Sequence, residues 1–222
     1  MVRTYRFRSA RGLLALAACG VGMPMMQYAV AAPPGAHARG GAPASLSAGL
    51  AGGFEGKLVT GKRGAQVRNH GKEIGWGWMA TADKRFGGHS HAAIAMAHPG
   101  ADGTQGALAV SGKLESGFVA PWAGAIWFPG SHPMQPTDLS GVTTLSFKVR
   151  GKPGSYTLLL MNGSMKGAPQ SATFTIGKGW TQVDMPLAKS FPGADLKHVY
   201  FVAFSAGTYG KFDFELDQVR LH

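Results

Sequence analysis

Apolar and polar residues alternate along much of the chain from about residue 75 onwards. In residues 143–151, "TTLSFKVRG", the apolar Leu145, Phe147 and Val149 alternate with polar side chains. A period of two predicts a strand with one buried face. Residues 123–129, "AGAIWFP", are apolar almost throughout, which is typical of a strand that is buried on both faces.

Eight further segments have strand patterns, and Gly, Pro, Asn or Asp separates them. They are residues 75–81, 91–98, 107–114, 155–162, 171–176, 180–187, 198–206 and 211–221. Only one helical turn is predicted, near "LAKSF" at 187–191. Eight to ten short strands at this spacing predict an all-β sandwich or jelly roll, and the 34 glycines agree with many turns.

Residues 1–31 have the pattern of a secretory signal peptide. A basic start precedes an apolar stretch, and "AVA" at 29–31 is a small-residue cleavage site. In an alternative interpretation, "LAAC" ending at Cys19 resembles a bacterial lipoprotein box, and a lipid on Cys19 would anchor the protein to a membrane. Both interpretations predict an exported protein, periplasmic or extracellular. Cys19 is the only cysteine, so no disulfide is predicted.

The segment after the leader, residues 32–52, consists mainly of Ala, Gly, Pro and Ser. It holds almost no large apolar group, so it cannot bury enough surface to offset the entropy of ordering. The sequence therefore predicts a linker over 32–52 and one folded domain over 53–222.

The charge balance favours anionic partners. The formal net charge is +11, and the four arginines of residues 1–31 account for four of these charges, which leaves +7. Such a surface suits lipopolysaccharide, phospholipid or acidic glycans. The basic residues occur without a run of four or more, so nucleic-acid binding is not predicted. Membrane attachment is predicted only through the alternative lipid on Cys19.

The usual catalytic patterns do not occur in the sequence. There is no Gly-x-Ser-x-Gly nucleophile motif, and the carboxylates are too scattered to identify a glycosidase pair. The chain is therefore predicted not to be an enzyme.

Several motifs together resemble a known family. They are "GWGWMATADKRFGGHS", "GALAVSGKL", "WAGAIWFPG", "PTDLSGVTTLSFKVRG", "FTIGKGWTQVDMPL" and "FDFELDQVRL". The order resembles the complex I intermediate-associated protein 30 family, in the bacterial form that also occurs as an accessory domain on amidohydrolases. The resemblance covers about residues 53–222. It implies a galactose-binding-like jelly roll, a fold that hosts binding to sugars, lipids and proteins.

The stretch "DKRFGGHSH" at residues 83–91 predicts a tight turn. Asp83 can accept hydrogen bonds from backbone amides, Gly87 and Gly88 can adopt positive φ, and Ser90 can close the turn.

The same stretch permits two other interpretations. His89 and His91 are two residues apart, so on a strand they would share a face and could begin a metal site. A third ligand is not identifiable in the sequence, which leaves a metal-dependent enzyme as an alternative only. Arg85, His89 and His91 are also candidates for direct contact with a ligand.

Aromatic rings are candidates for stacking on sugar rings or for protein contact. Trp76 and Trp78 are predicted to share a strand face. Trp122 and Trp127 have odd spacing and are predicted to lie on opposite faces. Trp76, Trp78 and Trp122 are therefore candidate ligand contacts, together with His132 in the proline-rich loop that follows Phe128.

Glu55 and Asp217 form a further candidate pair near the two ends of the domain. In sandwich carbohydrate-binding modules that resemble this chain, acids at these positions often help to hold a structural calcium ion, which prefers hard oxygen ligands. No other cofactor is predicted.

These observations predict an exported, non-catalytic binding or assembly-accessory domain. Its expected partner is a protein or a glycan in the bacterial envelope. A carbohydrate-binding module and a metal-dependent enzyme that uses His89 and His91 are the alternatives.

Overall fold

The structure is a computed structural model that describes residues 42–61, 64–163 and 168–222. The predicted signal peptide, Cys19 and the first part of the predicted linker lie outside these residues. No helix within the described ranges is long and apolar enough to span a membrane.

Two β-sheets pack face to face and form a sandwich, as the alternation of apolar and polar residues predicts. The strands are β1 Ala44–Ser45, β2 Gly49–Gly52, β3 Leu58–Gly61, β4 Gly64–Arg68, β5 Gly77–Ala82, β6 His91–Ala97, β7 Ala107–Leu114, β8 Ala123–Phe128, β9 Thr137–Asp138, β10 Thr144–Gly151, β11 Gly154–Asn162, β12 Gln170–Ile176, β13 Thr181–Pro186, β14 Val199–Ala206 and β15 Gly210–Leu221. Short 3₁₀ helices span Asp83–Phe86 and Ala101–Gly103, and α1 is the single turn Leu187–Ser190. The all-β sandwich predicted from the sequence is confirmed.

The larger sheet has nine strands in the part of the chain that the structure describes. Its main path runs β12–β11–β14–β8–β5–β4–β3 with antiparallel neighbours, and β9 joins β14 at Val199 and carries β1 in parallel. The smaller sheet has the order β13–β10–β15–β7–β6. Its sixth strand, β2, pairs with the last residues of β15.

The core lies between the sheets and is rich in aromatic rings. Trp78, Trp127, Phe147 and Phe204 are each at most 1% exposed. The ring of Phe204 lies 5.6 Å from that of Trp78 and 5.0 Å from that of Phe147, so rings from both sheets interlock. Strand alternation places these side chains on the inner faces, where burial of aromatic surface is the main stabilising contribution.

The nine-stranded sheet also carries a second apolar cluster, on its outer face. Its buried members are Trp76, Met79, Ile126, Phe128 and Ala203. For this reason every residue of β8 is buried, as its unbroken apolar run predicts: alternate side chains enter the core or this second cluster.

The folded body begins before residue 53, the boundary that composition predicts. β2 pairs with β15 at Gly52 and Val219, and the carbonyl of Ala51 accepts the indole N–H of Trp78 at 2.9 Å. Small residues suit this position because a Cβ on Gly52 would lie 2.5 Å from the ring of Phe54. Within the predicted linker, Gly49–Gly52 therefore belong to the folded body.

Candidate functional site

The predicted site residues fall at two ends of the sandwich rather than in one place. β5 and β8 are antiparallel neighbours, so Ala82 pairs with Ala123 and Gly77 pairs with Phe128. The residues that follow β5 and precede β8 therefore share one end, and this "Trp122 end" includes Arg85, His89 and His91. Trp76 and His132 belong to the opposite "Trp76 end". The six residues of β5, about 20 Å in length, separate the Trp122 end from the Trp76 end.

At the Trp122 end, three aromatic rings form a cluster, hereafter the aromatic patch: Phe86, Phe118 and Trp122. The Trp122 ring lies 5.5 Å from Phe86 and 5.9 Å from Phe118. The indole Nε1–H of Trp122 donates to Thr81 Oγ1 at 3.1 Å, which fixes the orientation of the ring. Phe86 is 49% exposed and the adjacent Val119 is 71% exposed, so the patch faces solvent.

The turn beneath the patch is held by a fully buried carboxylate. Asp83 Oδ1 accepts the Ser90 backbone N–H at 2.9 Å, and Oδ2 accepts the Ser90 hydroxyl at 2.8 Å. Ser90 Oγ in turn accepts the backbone N–H of Glu115 at 3.0 Å. Gly87 has φ 94°, and a Cβ on Gly88 would lie 2.2 Å from Asp83 Oδ1. Both glycines are thus required for the chain to close around Asp83.

A shallow cleft of about 370 Å³ opens beside the patch, hereafter the basic cleft. Its walls are β4 and β5 of the larger sheet and β6, the last strand of the smaller sheet. The ionisable side chains that line it are Lys84, Arg85 and His91, all exposed. Thr81 lines the cleft as well and joins it to the patch through its bond to Trp122.

The Trp76 end is closed by comparison. Trp76 is 8% exposed, with the Arg68 guanidinium 4.3 Å above its ring and Phe128 edge-on at 5.9 Å. Met134, from the loop that carries His132, packs on the same cluster. His132 itself is exposed and lies apart from the aromatic patch.

The prediction that Trp76 and Trp78 share a face is wrong. Trp78 is fully buried in the main core and cannot contact a ligand, whereas Trp76 belongs to the outer cluster. The reason is Gly77, whose φ of 135° breaks the period of two. A Cβ there would lie 2.3 Å from the Val67 carbonyl oxygen, so only glycine fits.

The two histidines gain no third metal ligand from the fold. Within the described ranges, no group of three or more His, Cys, Asp or Glu side chains could hold a metal ion. His89 lies next to the loop at Gly117, and His91 opens β6 opposite Lys113. The alternative of a metal-dependent enzyme therefore has no supporting geometry among these residues.

Asp217 is fully buried in β15, and Glu55 lies close enough for its charge to act on it. Burial raises the pKa of Asp217, hydrogen bonds from Thr104, Ala101 and Gln218 oppose this, and the charge of Glu55 adds to the rise. Asp217 Oδ2 accepts the Ala101 N–H at 2.7 Å.

Neither carboxylate forms an ion pair with a described cationic side chain. Both carboxylates accept hydrogen bonds: Asp217 Oδ1 from the Gln218 N–H at 2.6 Å, Asp217 Oδ2 also from the Thr104 hydroxyl, and Glu55 Oε1 from the Gln105 N–H at 3.1 Å. Carboxylate oxygens without a countercharge are of the hard type that calcium prefers.

Sequence patterns missed Phe86, Phe118, Thr81 and Lys84. Phe86 follows two basic residues in "DKRF", and Phe118 lies in the Gly- and Pro-containing stretch "SGFVAP". Aromatic residues in a turn, outside any strand pattern, are the signal that could have identified them, because loops lie on the surface.

Several solved structures with a similar fold are carbohydrate-binding modules. The family 11 carbohydrate-binding module of a cellulosomal cellulase from Clostridium thermocellum is 13% identical, with a TM-score of 0.54 over 80% of this chain and 95% of the module. The same module in complex with a β-1,3-1,4-mixed-linked tetrasaccharide gives 14% identity and a TM-score of 0.55, over 80% of this chain and 96% of the module. An exo-β-agarase gives 14% and 0.51, over 78% of this chain and 25% of the agarase. At such identities the likeness concerns the fold alone.

The fold is thus a galactose-binding-like β-sandwich, which these modules share. The chain belongs to the complex I intermediate-associated protein 30 family, whose model matches residues 68–202. No curated protein sequence matches it significantly. The resemblance predicted from the motifs is confirmed, and family and fold together favour a non-catalytic binding domain.

Proposed function

We propose that this protein is a non-catalytic glycan-binding domain that binds a polysaccharide of the bacterial envelope at its Trp122 end. The observation that carries the proposal is the aromatic patch. A partly exposed indole lies between Phe86 and Phe118, and Thr81 fixes its orientation. Sugar rings stack their C–H groups on such faces, and a fixed ring loses little entropy on binding.

Several features agree with this proposal. The fold is one that carbohydrate-binding modules use, and the family 11 module has been solved with a bound tetrasaccharide. A predicted export signal would place the domain where envelope polysaccharides are found. The fully buried Asp83 holds the turn rigidly, so that the residues of the patch are positioned before the ligand arrives.

The test is a titration of the purified protein with a panel of envelope and plant polysaccharides, followed by affinity electrophoresis and calorimetry. We expect saturable binding to one glycan class and its loss in Trp122→Ala. Trp180→Ala is the matched control, because Trp180 is also partly exposed but stacks on Arg150 at 4.6 Å, in the other sheet.

A folded protein that binds no polysaccharide would refute the glycan proposal and favour a protein partner. In that case Trp122→Ala is expected to abolish capture of the partner from an envelope extract, because the same patch would be the contact.

We also propose that Glu55 and Asp217 hold a structural calcium ion. The support is that Asp217 is fully buried, that the charge of Glu55 acts on it, and that neither carboxylate has a cationic partner among the described side chains. This ion would stabilise the fold and take no part in ligand contact.

A further inference from the structure

Two basic side chains lie beside the aromatic patch. Lys84 and Arg85 directly precede Phe86 in the same 3₁₀ turn, and both line the basic cleft. Both side chains are exposed, and neither takes part in an ion pair within the part of the chain that the structure describes.

The acidic residues nearby do not neutralise this pair. Asp83 is fully buried, and both of its oxygens accept hydrogen bonds from Ser90. Glu115 forms an ion pair with Lys113 at 2.6 Å. None of the side chains that line the cleft in the described ranges is acidic, so a net positive field remains at its mouth.

The cleft also offers hydrogen-bonding groups. Among the described residues β6 is the edge strand of its sheet, so no described strand pairs with the backbone N–H and C=O groups on its outer side. Thr81 connects the cleft with the indole of Trp122. A polymer that stacks one sugar on Trp122 would therefore place a neighbouring sugar beside Lys84 and Arg85.

We infer that the glycan is an acidic polysaccharide, whose carboxylate groups pair with Lys84 and Arg85 while a sugar ring stacks on Trp122. This inference rests on the proposed function and adds the ligand class. A guanidinium can bind a carboxylate through two parallel hydrogen bonds, and a nearby ammonium adds a second charge.

The experiment compares polymers that differ only in charge. Polygalacturonate, alginate and hyaluronate are each tested with free carboxyl groups and after methyl esterification, by calorimetry with the purified protein. We expect at least one free acid to bind, its ester to bind at least about tenfold more weakly, and the affinity to fall as salt screens the charges.

Two double variants test the residues. K84Q/R85Q is expected to weaken binding of the free acid at least about tenfold, while binding of the ester changes little. K189Q/K197Q removes the same charge from exposed lysines at the Trp76 end and is expected to leave binding unchanged. Circular dichroism and thermal unfolding verify that both variants fold.

The outcomes separate the inference from the proposed function. Equal affinity for acids and esters, with no effect of K84Q/R85Q, would overturn the inference but keep a glycan-binding domain. No binding to any polysaccharide would overturn both. Binding to vesicles of anionic phospholipid, without binding to any of the polymers, would likewise overturn both and identify a lipid surface as the partner.

Discussion

Trp76 and Trp122 lie at opposite ends of the nine-stranded sheet, and their surroundings differ. Trp76 is covered by Arg68 and Phe128 and is 8% exposed. Trp122 has aromatic neighbours too, but one of them, Phe86, is itself 49% exposed. The ring of Trp76 is therefore part of a closed cluster, whereas the ring of Trp122 belongs to a cluster that faces solvent.

The largest expected difference between the two ends is in stability. Trp76→Ala removes a buried ring and leaves a cavity, so we expect a loss of about 3–5 kcal/mol in the free energy of unfolding. Trp122→Ala is expected to cost less than half of this, because its ring is only partly buried. Urea denaturation measures both, and equal losses would show that the Trp122 end is closed as well.

The next largest expected effect is the stabilisation of the protein by calcium. This stabilisation is expected to arise near Asp217, away from the aromatic patch. At a calcium concentration about 100 times Kd, the gain would be about 2.7 kcal/mol. We expect Glu55→Gln to abolish the rise in Tm, and Glu115→Gln, at the Trp122 end, to retain it. A Tm that does not respond to calcium in the unmodified protein would contradict the proposed site.

The pKa of Asp217 gives this effect a direction with pH. Burial raises the pKa above the unfolded value of 3.8, so the folded state holds its proton more tightly. Without calcium, the contribution of Asp217 to stability is fully present below pH 3.8 and is lost as pH rises through the folded pKa. Calcium would compensate this loss, so its effect on Tm should grow over the same window. A calcium effect that is independent of pH would argue against Asp217 as a ligand.

A smaller loss is expected when the turn beneath the patch is loosened. Ser90→Ala removes the hydroxyl that donates to Asp83 and accepts from Glu115, at a cost of about 1–3 kcal/mol. Because the turn positions Lys84 and Arg85, binding of the acidic polymer should weaken too. Ser131→Ala is the control, since it removes an exposed hydrogen bond at the Trp76 end. A Ser90→Ala protein with full affinity would show that the turn does not position the site.

The smallest expected effect concerns the cover of Trp76. Arg68→Gln removes the cation above the ring and should cost about 0.5–1 kcal/mol, without any change in glycan affinity. Arg220→Gln, an exposed arginine outside both clusters, provides the baseline for loss of one charge. Altered glycan affinity in Arg68→Gln would mean that the ligand reaches the Trp76 end.

The fold could be predicted because apolar and polar residues alternate regularly along the strands. Part of the site could not be predicted, because it is formed by irregular backbone. β7 and β10 alternate cleanly, and their bounds agree with the patterns to within one residue. The orientation of Trp76 could not be predicted from the sequence. It depends on the positive φ of Gly77, and the sequence does not show which glycines adopt a positive φ. The aromatic patch was not readable either, because Phe118 and Trp122 come together through a loop that has no period.

One consequence concerns how the domain would be carried. Gly49 and Leu221 are paired neighbours, and β15 runs twelve residues from Gly210, beside Leu114, to that point. Both ends of the folded body therefore leave the sandwich on the side remote from Trp122. A tether attached at either end would therefore leave the aromatic patch on the part of the domain farthest from the attachment point.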